Sequence, residues 1–416
     1  MDVVEFLKEE KFLMEEAFSR INKEAKRDVF EKIGKTNITI IYGLRGTGKT
    51  TLLAQKYFEL EKEERKEKRL AINGEHLSIA GYKIKDLIPS LKYVISEGYL
   101  FIDEITKLKG WPEEVKVLSD MYPKLKIIAT GSSAVDLQEA RKVLARRAVF
   151  INLKPLTFNE FLKIKYKTSI VPFDPFIEDK LTNAIRTELD AREKLNDIEK
   201  IMEEYKKMNL PYLIETPKST LLDVIERIIY EDIGSIASFS EEVLNKFKPL
   251  LKILALSEKT SYDNLSKDLE VGKGTVIKML DYLSKANVIK PIYPYAKGKS
   301  KIRKELKYLF ASPVIRQVLL DLIGEKERAI GLIREDLFAM HIEKEELFYL
   351  TKGPDYVWRN YVFEIGGVSK RKEQFKYLEE YKNHKAFSGK YIIHDGLQIT
   401  SGEIFKLPFY IFLSYF

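Results

Sequence analysis

The segment ITIIYGLRGTGKTTLL (Ile38–Leu53) changes character twice within sixteen residues. A β-branched apolar run stops at a glycine-rich stretch, and an amphipathic run, TTLLAQKYFEL, follows. The middle piece, GLRGTGKT, fits the phosphate-loop pattern G-x-x-x-x-G-K-T in its required strand–loop–helix setting. Gly43, Gly46 and Gly48 let the backbone wrap closely around a phosphate chain, and the amides of the following helix start point at anionic oxygens. The expected nucleotide contacts are therefore Gly43, Leu44, Arg45, Gly46, Thr47, Gly48, Lys49, Thr50 and Thr51. Lys49 is expected to reach the β- and γ-phosphates of ATP, and the Thr50 hydroxyl to ligate Mg²⁺.

A second apolar run, GYLFIDEI (Gly98–Ile105), ends in two carboxylates. Such runs read as central parallel strands buried on both faces, and ligands sit beyond their carboxyl ends. Asp103 is expected to bind Mg²⁺ through water, and Glu104 to orient or activate the attacking water. A third run, KLKIIATGSSA, ends in polar residues. There Thr130 and Ser132 read as γ-phosphate sensors, or Ser132 and Ser133 as caps of the next helix. Arg146 and Arg147 precede the next strand. Either they are surface ion-pair partners, or one stabilises transition-state charge in a neighbouring subunit.

Composition narrows the classes. The 416 residues suit two to four domains. Hydrophobic residues at 45% and charged residues at 32% give a soluble globular balance. A net charge of +8 permits an anionic partner such as DNA. Cys is absent and only four His are present, which excludes disulfides and thiolate metal sites and fits the cytoplasm. No run reaches ~18 apolar residues, so no membrane helix is expected.

Beyond residue 166 the chain reads as charged helices. One long helix is expected over EDKLTNAIRTELDAREKLNDIEKIMEEYKKM, and another over STLLDVIERIIYEDIGSIASF. Lys248–Tyr295 has helix-turn-helix spacing with Gly in the turn and a helix from Thr275. Its core would be Leu254, Leu265, Leu269, Val276, Leu280 and Leu283. Lys273, Thr275 and Lys278 would face a DNA groove, with Lys297, Lys299, Lys301, Arg303 and Lys304 on a basic wing. The same fold also serves protein binding or domain packing. The last hundred residues read as mixed α/β, closing with the strand FKLPFYIFLSYF.

The blocks GLRGTGKTTL, LFIDEI, IIATGSSA and ARR followed by LKPLTFNEFL resemble a family of archaeal and bacterial AAA+ P-loop ATPases. The resemblance implies an α/β fold: a P-loop core with a parallel sheet (1–165), a helical lid (166–246), a winged helix (247–311) and a nuclease-like domain of the PD-D/ExK kind (312–416). It places the arginine finger on Arg147, with Arg146 where the family has glycine, and so implies a homo-oligomer. In the last domain Glu335, Asp355 and Glu364 fall at the nuclease carboxylate positions, but Gly366 stands at the lysine position and Lys370 lies beyond a turn. A degenerate nuclease fold used for binding is therefore expected. The functional expectation is a Mg²⁺-dependent ATPase coupled to a C-terminal half that contacts DNA. The alternatives are an ATP-dependent DNA nuclease and a slow nucleotide switch that binds a protein partner.

Overall fold

The apolar run before the phosphate loop forms β1 (Ile38–Tyr42), and the other predicted core runs become strands around it. They are β2 (Arg69–Asn73), β3 (Gly98–Asp103), β4 (Leu125–Gly131) and β5 (Ala148–Asn152). The sheet order is β2-β3-β4-β1-β5, with every neighbour parallel. β4 thus lies between the strand carrying the phosphate loop and the strand carrying the carboxylates. Side chains alternate between two covered faces. Ile38, Ile40, Leu70, Ile102 and Ile127 join one core, and Ile41, Ala71, Phe101 and Ile128 join the other. Helix Lys49–Lys62 seals the second face with Leu52, Leu53 and Tyr57. The first helix, Val3–Ser19, buries Phe6, Leu7, Glu10, Met14 and Phe18, the i, i+3/i+4 stripe of an amphipathic helix. Buried Glu10 accepts the Asn73 amide at 3.1 Å and so ties this helix to β2.

The computed structural model describes residues 2–21, 26–62, 68–131, 137–257, 260–295, 305–325, 329–367, 372–381 and 387–416. The chain divides into two compact units. The first is Met1–Lys154 with Glu231–Ile236, and the second is Pro155–Tyr230 with Ala237–Phe416.

The second unit is built on a seven-stranded mixed sheet. Its strands are β6 (Ile289–Pro294), β7 (Lys307–Phe310), β8 (Leu347–Tyr349), β9 (Tyr356–Trp358), β10 (Tyr361–Gly366), β11 (Gly389–His394) and β12 (Phe405–Pro408). The order is β12-β11-β10-β9-β8-β6-β7, so the ladder is continuous across residue 311. The β6–β7 hairpin follows helices Phe247–Leu256, Tyr262–Leu269 and Lys273–Lys285. Leu254, Leu265, Leu269, Val276, Leu280 and Leu283 are all buried there. The turn between the last two helices is Glu270, Val271 and Gly272: Glu270 is left-handed at φ 56°, and Gly272 stands at the N-cap of the next helix.

Three elements differ from the sequence expectation. The long helix breaks into Lys180–Lys194 and Ile198–Met208, because Asp197 caps the second by accepting the Lys200 amide at 2.9 Å. The helix after Ser219 runs regularly only over Thr220–Arg227 and then widens into a π-helix, Ile228–Ile233. The terminal segment is strand β12 only to Pro408. Pro408 then stands at the N-cap position of the helix Phe409–Leu413, whose residues are all buried.

Candidate active site

The phosphate loop leaves β1 under tight steric control. A Cβ on Gly43 would stand 2.3 Å from the Leu153 carbonyl oxygen, so only glycine lets the backbone pass. Gly48 has φ +89°, a conformation that L side chains rarely adopt. Lys49 is 6% exposed and donates to the carbonyls of Gly43 and Leu44, each at 3.1 Å. Burial pushes its ammonium below the ordinary lysine range. The Thr47 hydroxyl donates to Leu44 O at 2.8 Å. Arg27 braces the loop by donating to Thr47 O at 3.0 Å and to Lys154 O at 2.9 Å.

At the carboxyl edge of the sheet Thr50, Asp103 and Thr130 converge. The Thr50 hydroxyl donates to Asp103 Oδ2 at 3.0 Å, and the Thr130 hydroxyl donates to Asp103 Oδ1. Burial raises the Asp103 carboxyl above its usual range, and both hydroxyls oppose that shift. The half-buried Thr50 hydroxyl and the buried Asp103 carboxylate side by side form a hard oxygen donor set that suits Mg²⁺. Glu104 sits just past β3 in the left-handed region at φ 52°, and its amide donates to Thr130 Oγ1 at 3.0 Å. A non-glycine residue held there marks a strained position. Thr130 thus touches both carboxylate residues. Ser132 and Ser133 lie outside the described residues.

Arg45 is clamped. Its Nε meets Asp232 Oδ2 at 2.9 Å, its Nη2 meets Asp232 Oδ1 at 2.7 Å, and Glu231 Oε2 is at 3.2 Å. The fork to Asp232 raises the guanidinium pKa further. Neither acid was singled out from sequence; their only local signal is the polar pair interrupting the apolar run IIYEDIG. Arg147 lies elsewhere. Ala148 pairs with Ile38 at the amino end of the sheet, whereas the phosphate loop leaves its carboxyl end. Arg147 there bonds Asp120, and Arg146 beside it is left-handed at φ 66°. The chain does not bring Arg147 to its own phosphate loop.

A parallel sheet in this order, a phosphate loop after β1 and paired carboxylates ending β3 define an AAA-type P-loop ATPase domain. Residues 35–162 match the AAA domain family. The chain belongs to one family with the uncharacterized protein MJ1637 of Methanocaldococcus jannaschii, 30% identical over 95% of this chain and 90% of that protein. An uncharacterized protein of Haemophilus influenzae is 24% identical over 87% of this chain and 92% of its own length. Residues 212–326 match a domain of unknown function, DUF8612. Among solved structures, AMPPCP-bound DnaA from Aquifex aeolicus aligns over 67% of this chain and 88% of its own, at 16% identity and a TM-score of 0.26. No described helix is long and apolar enough to cross a membrane.

In the second unit, half-buried Asp355 lies within the field of buried Glu335 and Glu364. Lys307 of β7 pairs with Glu335, and the Tyr356 hydroxyl donates to the same carboxylate. Sequence reasoning missed both groups. Gly366 ends β10 opposite His394, and Lys370 lies outside the described residues. Among the described residues no group of three or more His, Cys, Asp or Glu is arranged to hold a metal ion.

Burial, with Glu335 and Glu364 nearby, pushes Asp355 up to about 7, although the Ile365 amide donates to it at 2.7 Å. The folded chain therefore keeps a proton that the unfolded chain loses near pH ~4. Its stabilising contribution is present below that pH and is lost as pH rises towards 7. Asp355→Asn is expected to match wild type near pH 4 and to melt several degrees higher near pH 8. Thermal melts across that range decide it, and a constant difference would refute it.

On the helix-turn-helix face, Lys278 and Ile277 are exposed, while Lys273 pairs with Asp263 at 2.9 Å. The basic segment with Lys297, Lys299, Lys301, Arg303 and Lys304 lies outside the described residues.

Proposed function

We propose that this protein is a Mg²⁺-dependent ATPase whose nucleotide state acts on a C-terminal half that contacts DNA. The observation that carries the reading is the Thr50–Asp103 contact beside buried Lys49. Thr50 and, through water, Asp103 would hold Mg²⁺, which supplies charge neutralisation on the β- and γ-oxygens. Lys49 exchanges two neutral carbonyl partners for anionic phosphate oxygens, which strengthens its hydrogen bonds. Glu104 orients the attacking water and takes its proton. Thr130, bonded to Asp103 and to the Glu104 amide, holds the two in register. Arg147, placed at the opposite edge of the sheet, would serve a neighbouring copy's γ-phosphate.

The architecture proposed with this reading is a core, a lid, a winged helix and a nuclease-like domain, the last two sharing one seven-stranded sheet. The helices before β6 present Lys278 to solvent, as phosphate contact requires. In the nuclease-like centre, Lys307 and Tyr356 already occupy Glu335, which favours a binding platform over strand cleavage.

The test is ATP hydrolysis measured with and without duplex DNA at several protein concentrations and salt levels. We expect turnover that rises with DNA, rises with protein concentration in an Arg147-dependent way, and loses DNA stimulation between 50 and 200 mM salt, roughly the range in which a few phosphate contacts fail. Turnover retained in Glu104→Gln would sink the catalytic assignment.

A further inference from the structure

We infer that Glu231 and Asp232 form an anionic latch that holds the phosphate loop's arginine and yields it to a bound triphosphate. The inference rests on the nucleotide-binding reading above and adds a regulatory pair to that site.

The latch is a short excursion of the chain. Between Pro155 and Phe416 the chain belongs to the second unit except for the six residues Glu231–Ile236, which join the ATPase unit. These six bring two acids to Arg45, 186 and 187 residues away in sequence. Asp232 is 5% exposed and engages the guanidinium in a two-point fork, the geometry that arginine also uses for phosphate. Lys107, in the turn after Glu104, stands 3.8 Å from Glu231. The latch therefore presents two carboxylates beside a loop whose ligand is itself polyanionic. The fields of Asp232 and Glu104 both reach Lys49. When phosphates enter, Asp232 changes from counter-ion to like-charge neighbour, and Arg45 gains a competing partner of higher charge. The local backbone suits a movable element. Glu231 and Asp232 lie in the π-helical turn Ile228–Ile233, a widened geometry that is frequent at functional sites. The Ser235 hydroxyl closes that turn on Asp232 O at 3.2 Å.

The experiment titrates a fluorescent ATP analogue, with ADP and adenosine as competitors, against wild type, Asp232→Asn, Arg45→Ala, the double variant and Lys49→Ala. Asp232→Asn is expected to bind the triphosphate about 5-fold tighter or more, a coupling typical of linked sites. The gain should be smaller for ADP and absent for adenosine. In the Arg45→Ala background the gain should shrink, because the latch acts through that guanidinium. Unchanged or weaker binding by Asp232→Asn overturns the latch, as does an equal gain in both backgrounds, which would mean a general charge effect. Wild type that binds no better than Lys49→Ala overturns the nucleotide site and the latch together. Hydrogen exchange on the wild-type chain provides a check that needs no variant. The triphosphate should lower protection over 228–236, and raised protection there refutes the latch.

Discussion

Lys49→Ala is expected to lower ATP turnover about 100- to 1000-fold, the usual cost of removing one preorganised donor from developing charge. The structure separates this loss from any effect on folding. Lys49 donates to two loop carbonyls, and its ammonium sits in a buried position that disfavours the charged form. Removing it relieves a desolvated charge and costs two ordinary hydrogen bonds, so the melting temperature should hold within a few degrees. The side chain contributes only when phosphate oxygens replace those carbonyls. Lys49→Arg should not rescue, because a planar guanidinium does not fit a cradle shaped around one ammonium. A steady-state assay with matched circular-dichroism melts decides the matter. Turnover within tenfold of wild type would refute the assignment.

How much of this site was legible from sequence follows from what its parts require. Gly43, Lys49 and Thr50 must be contiguous because one backbone turn cradles one phosphate chain, and contiguous requirements are readable. Asp103 and Glu104 were readable because a buried strand has few reasons to end in two acids. The Thr130 contact was half legible: its strand and polarity showed, but not that its hydroxyl bonds Asp103 while accepting from the Glu104 amide. Arg27, Asp232 and Lys307 were illegible, because each acts through a partner twenty or more residues away and no local pattern specifies such a pairing. The Arg147 position was legible, but its distance from its own chain's loop emerged only from the strand register. The same limit explains the helix errors. Asp197 resets local structure through its side-chain cap and Pro408 through its fixed φ at the N-cap position, and periodicity averages over such residues.

Asp336→Ala is expected to destabilise the second unit by about 3–5 kcal/mol, the cost of stranding a buried partner charge. Arg316 and Asp336 have no exposed side-chain surface. Arg316 Nε meets Asp336 Oδ2 at 2.5 Å and its Nη2 meets Oδ1 at 3.0 Å. Its remaining donors close the end of helix Phe247–Leu256 through Leu254 O at 3.0 Å and Ala255 O at 2.8 Å. Asp336 also accepts the Phe310 amide of β7 at 2.8 Å. One ion pair thus joins the first helix of the helix-turn-helix segment, the hairpin that follows it and helix Ile330–Ala339. Burial raises the Asp336 carboxyl, and the arginine opposes that shift. Because removing two charges from water offsets their mutual attraction, such a pair specifies an arrangement more than it adds net stability. It follows that Arg316→Met with Asp336→Leu should recover most of what Asp336→Ala loses. The single variant should lower the melting temperature by roughly 6–20 °C, given about 2–4 °C per kcal/mol at this size. Calorimetry on wild type, both single variants and the double variant measures the coupling directly. Additive losses would show that the two charges do not act as a pair, and a double variant that loses the β7 contact would show that the pair is needed for stability as well as for specificity.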